Sequence, residues 1–145
     1  MNKNFIKILL GLSLCGCVAG YILWFPEKFG VCAPQDRFSC IYPLSERIGQ
    51  PLLILMSGLS IVSFILLFLP IVIYPVWKKF VFIISPLVLL WVIFTPVQCS
   101  GLLGACFDKK LTSLVSTVIF IIGSLTVFII KYISIIREKR RDMDV

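Results

Sequence analysis

Any chemistry in this chain has to start from sulfur. The sequence holds six cysteines and no histidine, so the commonest general base and the commonest metal ligand are both missing. Four cysteines fall into two pairs, Cys32 with Cys40 and Cys99 with Cys106, with seven and six residues between partners. Four cysteines allow three connectivities. The short separations favour Cys32–Cys40 and Cys99–Cys106, each stapling one loop. A reactive dithiol is expected to have closer spacing and a neighbour that lowers a thiol pKa, and no CxxC is present. A four-cysteine zinc site likewise uses closely spaced pairs. The last two, Cys15 and Cys17, stand two apart in an apolar run, and on a helix they point to different faces. They read as small apolar core residues. No metal, cofactor or catalytic residue is expected.

Two resemblances carry less than a family. Membrane enzymes that make disulfides also have four spans with cysteine pairs in outer loops, and this chain is similar to them in layout alone. Leu14-Cys15-Gly16-Cys17 resembles a lipoprotein cleavage box, with Cys17 as the lipidated residue. The apolar run continues through Trp24-Phe25, however, where a mature lipoprotein would start a polar tether. An uncleaved first span is therefore expected.

The rest of the sequence is mostly membrane-like. It is 59% hydrophobic and 14% charged, with mean hydropathy +1.05, against about 25% charged for typical soluble domains. Pro51 to Trp77 contains no charged residue and exceeds the roughly 30 Å needed to cross the hydrocarbon core. Similar runs predict four spans, at about 5–25, 51–76, 80–97 and 111–132. The predicted outer loops are 26–50 and 98–110, and a basic tail fills 133–145. Lys78-Lys79 reads as a very short connection between spans two and three, and Ser45 as the cap of a short helical entry to span two. The fold class is an all-α membrane protein, a four-transmembrane-helix antiparallel bundle forming one domain. Gly16 and Gly20 form a GxxxG pair, and Ser113 with Thr117 stands at small-xxx-small spacing. Both are predicted helix-packing positions.

Charge orients the bundle. Lys3, Lys7, Lys78, Lys79, Lys131, Arg137, Lys139, Arg140 and Arg141 fall on one side, and Lys28, Arg37, Arg47, Lys109 and Lys110 on the other. The excess places both termini in the cytoplasm and the chain in the plasma (inner) membrane. The cysteine pairs then lie outside, where disulfides persist. The net charge of +7 is spread over ends and short loops, so it points to headgroups and not to nucleic acid.

Transport needs polar or charged groups at mid-membrane, and Ile8 to Phe25, Pro51 to Trp77, Phe80 to Phe107 and Leu111 to Ile130 hold no Asp, Glu, Lys, Arg or His. Hydrolysis needs a positioned acid, base or nucleophile pair. A channel or carrier would have to be built as an oligomer. The expected function is non-catalytic: an accessory, assembly or protective (immunity-like) subunit working through helix and outer-loop contacts. Its partner would be a membrane protein or a second copy, within the lipid bilayer. Leu102 and Leu103, held between glycines by the second staple, are the predicted partner contact. The alternative is a membrane thiol–disulfide oxidoreductase using an outer-loop pair.

Overall fold

A computed structural model describes residues 3–96 and 108–141. Among them there are four long helices and no strand. Each is long and apolar enough to cross a membrane. We name them α1 (Lys3–Trp24), α2 (Gln50–Phe68), α3 (Tyr74–Phe94) and α4 (Lys109–Arg141).

The turn between α2 and α3 is not where the lysines suggested. Helix α2 stops at Phe68, and Leu69 is extended at φ −86° and ψ 154°. The cause is Pro70, which lacks the amide hydrogen a helix needs and disfavours helical backbone in the residue before it. A single 3-10 turn, Ile71–Ile73, leads into α3. Pro75 then sits in the first turn of α3, where its missing donor costs nothing. Lys78 and Lys79 are therefore within α3, and the expected run from Pro51 to Trp77 is two elements joined through Pro70.

Two expected loops are also partly helical. Arg37–Ile41 and Pro43–Gly49 form π-helical turns that run directly into α2. Ser45 is buried inside this arm and caps nothing. Lys109 and Lys110 open α4, behind an Asp108 carboxylate that accepts from the Leu111 amide at 2.7 Å. This is an ordinary N-cap. At its far end α4 continues through the expected tail to Arg141.

Helices α1 and α2 run antiparallel in close contact. A Cβ on Gly20 would lie 2.7 Å from the Leu53 amide nitrogen, and one on Gly49 would lie 2.5 Å from the Trp24 nitrogen. Glycine is what allows these two backbones to touch. Ser60 donates to Ser13 at 2.9 Å across the same pair. Helix α4 lies against α2, where Thr117 packs on Gly58. Helix α3 lies against α4, antiparallel, through Trp77–Ser124 and the stacked rings of Phe80 and Phe120. The start of α1 also meets the start of α3, with Phe5 edge-on to Tyr74 at 6.0 Å. The core lies at this end, around Ile6, Val62, Leu66, Ile73, Trp77 and Phe128.

Candidate functional site: a lateral groove and a stapled loop

Cys32 and Cys40 form a disulfide, with Cα atoms 5.9 Å apart. The loop is shaped for it by turns. Gly30 takes a positive φ of 68°, and the Val31 and Cys32 amides both donate to the Pro26 carbonyl. The bond ties this loop to the helical arm ahead of α2. Closing a loop of this length contributes about 2–3 kcal/mol. Cys32 is 6% exposed, so the sulfur on that side is covered. Cys99 and Cys106, with Leu102 and Leu103 between them, lie outside the described residues.

The other expected residues sit at helix contacts. Gly16 faces the Met56 side chain, whose Cγ would be 2.7 Å from an added Cβ. Thr117 donates to the Ser113 carbonyl at 2.8 Å and lies 3.4 Å from the Ile54 carbonyl of α2. Ser113 bonds back to Lys109 of its own helix. Cys15 and Cys17 are free thiols. Cys17 Sγ is 3.8 Å from the Ser60 hydroxyl and so extends the Ser13–Ser60 thread across α1 and α2. Among the described residues there is no group of three or more His, Cys, Asp or Glu side chains arranged to hold a metal.

One feature has no counterpart among the expected sites. Because α3 packs on α4 and not on α2, a groove of about 410 Å³ remains between α2 and α3. Leu52, Leu55, Met56 and Leu59 of α2 form one wall. Tyr74, Trp77, Lys78, Val81, Phe82, Ser85, Val88 and Leu89 form the α3 wall. The α3 positions recur at three and four residues, so they form one continuous helix face. Phe5 and Leu9 of α1 and Phe120 of α4 close the groove.

The groove's chemistry is simple. Among the described residues Lys78 is the one charged side chain lining it, near one end, and Tyr74 is the one other titratable group there. Neither has an acid–base partner in the lining. Such a wall can bind and orient an apolar molecule with a negative end. The missed signal was Tyr74, Trp77, Lys78 and Val81 at helical spacing. The spacing is hidden in the sequence because Lys78-Lys79 reads as a turn that splits these residues between two spans. Comparison of the chain with protein-family models, with curated proteins and with solved structures finds no match to any of them.

Proposed function

We propose that the chain is a four-span protein of the plasma (inner) membrane, an antiparallel bundle with both termini cytoplasmic. It acts there without catalysis, as an accessory, assembly or protective subunit of a membrane-protein partner. The observation that carries this reading is the uneven packing of the four helices. In the most apolar stretch of α3, 11% of the residues are buried within the chain, against 17% in α1, 28% in the arm-and-α2 helix and 28% in α4. A subunit that works through helix contacts has to leave a helix face uncovered, and α3 is held along one edge by α4. Leu87 and Ile93 of α3 are 59% and 64% exposed, and neither lines the groove.

The disulfide loop supports the same reading. A covered Cys32 suits a fixed, presented loop better than thiol exchange, which needs an attacking thiolate to reach a sulfur.

The test is a photoreactive residue in place of Leu87 or Ile93, activated in native membranes. A partner on α3 gives one discrete protein adduct, of a mass set by the partner, or of twice the chain mass for a second copy. Adducts with lipid alone at both positions overturn the accessory reading.

A further inference from the structure

We propose that the groove between α2 and α3 is a binding site for one anionic diacyl phospholipid, with its phosphate at Lys78 and one acyl chain between the helices. The proposal goes beyond the accessory reading and needs only that the apolar helices lie in a bilayer.

Dimensions select the occupant. From Lys78 to Leu89 the α3 wall runs about 16 Å along the helix axis, close to the roughly 15 Å depth of one leaflet's hydrocarbon. The groove's volume of about 410 Å³, spread over about 22 Å from Tyr74 to Leu89, leaves a mean section of about 18 Å². A helix, 10–12 Å across, needs about 80 Å² or more, so a whole helix does not fit inside the groove. A single alkyl chain does.

Charge selects the headgroup. Lys78 stands near the N-terminal end of this wall, one turn after Tyr74, and Lys79 stands beside it. Between Glu46 and Asp108 the sequence holds no acidic residue, so α2 and α3 bring no carboxylate to neutralise the pair. An ammonium on a long apolar stem reaches a phosphate at the interface while its methylenes stay in the wall.

A neighbouring feature accounts for the second chain. Lys78 and Phe82 also border a separate depression of about 570 Å³, completed by Pro75, Lys79 and Ile83. Lys78 thus heads a ridge with an apolar hollow on either side, and a diacyl lipid astride it places one chain in each.

The test is native mass spectrometry of the full chain released from vesicles of equimolar phosphatidylglycerol and phosphatidylcholine. Wild type is expected to retain one phosphatidylglycerol in preference to phosphatidylcholine. Lys78→Gln is expected to lower that preference about fivefold, the effect of about one surface lysine. Lys110→Gln, at the other end of the bundle, is expected to leave it unchanged. Ser85→Trp, which fills the groove from α3, is expected to abolish retention of either lipid while a thermal melt reports whether the variant is folded. Should Ser85→Trp fail to fold, the comparison of the two lysine variants still decides. Equal losses for Lys78→Gln and Lys110→Gln overturn the proposal, as does lipid retained by folded Ser85→Trp. A lipid-free monomer or dimer as the retained wild-type species also overturns it.

Discussion

Trp77 donates its indole N–H to the Ser124 hydroxyl at 3.2 Å, across 47 residues of sequence. Trp77 is 1% exposed and Ser124 is 0% exposed. Among the described residues this bond is the side-chain hydrogen bond that joins α3 to α4, beside the stacked rings of Phe80 and Phe120. Ser124→Ala leaves a buried N–H with no acceptor. The expected cost is about 1–2 kcal/mol, in the upper part of the range for hydrogen bonds between membrane helices. Unfolding by titrated SDS measures it. A double-mutant cycle with Trp77→Phe should recover a coupling of about 0.6–1.7 kcal/mol. Strict additivity of the two variants would remove the bond from the account of how α3 is held.

Gly16 and Gly20 look alike in sequence, but the structure separates them. An added Cβ on Gly20 meets the Leu53 backbone at 2.7 and 2.9 Å, which can move only if α1 and α2 part. The same change at Gly16 meets the Met56 side chain, and methionine adapts readily. Gly20→Ala should therefore destabilise the protein by about 1–3 kcal/mol, the usual penalty of overpacking. Gly16→Ala should stay within about 0.5 kcal/mol of wild type, offset in part by alanine's better helix propensity. Thermal unfolding in detergent ranks the two, and equal effects would mean that the α1–α2 contact is looser than its geometry.

What was legible in the sequence followed from one-dimensional signals. Four apolar runs long enough for a span are visible as runs, and Cys32 with Cys40 is visible as a short-range pair. The α2–α3 turn was misplaced because Lys78-Lys79 is the only charged interruption there, whereas the break comes from Pro70 inside an apolar stretch. Residues 37–49 carry mixed polarity and a proline, which gives no helical period to read, yet they extend α2 toward the loop. The groove was out of reach for a different reason. Helix α3 is apolar nearly all round, so no stripe of residues announces which neighbour it packs against. Its choice of α4 rests on the fit of Trp77 to Ser124 and of Phe80 to Gly123, which is a property of pairs.

The disulfide should matter to the arm more than to the bundle. Cys32→Ser frees Cys40 and removes about 2–3 kcal/mol of loop-closure stabilisation. The helices α1 and α2 keep the contacts of Gly20 and Gly49. Limited proteolysis should accelerate at 26–42, while protection of the α1 and α2 segments stays as in wild type. Loss of protection throughout would mean that the staple holds the bundle itself together.

Orientation is testable by reporter fusions, and its outcome is tied to the disulfide. Helix α4 has 33 residues, or about 50 Å, roughly 20 Å more than the hydrocarbon core requires. Its C-terminal end carries Lys131, Arg137 and Arg140. A fluorescent protein fused after Val145 should fluoresce, and alkaline phosphatase at the same position should be inactive. Phosphatase fused after Gln35, by contrast, should be active. The opposite pattern would place the basic end outside against the charge bias, and it would put Cys32 and Cys40 in a reducing compartment. A disulfide does not persist there without special protection. Trapping free thiols in the same cells therefore checks the fusions independently. Cytoplasmic termini require Cys32 and Cys40 to resist alkylation until a reductant is added, and labelling without reductant would count against both the bond and the orientation.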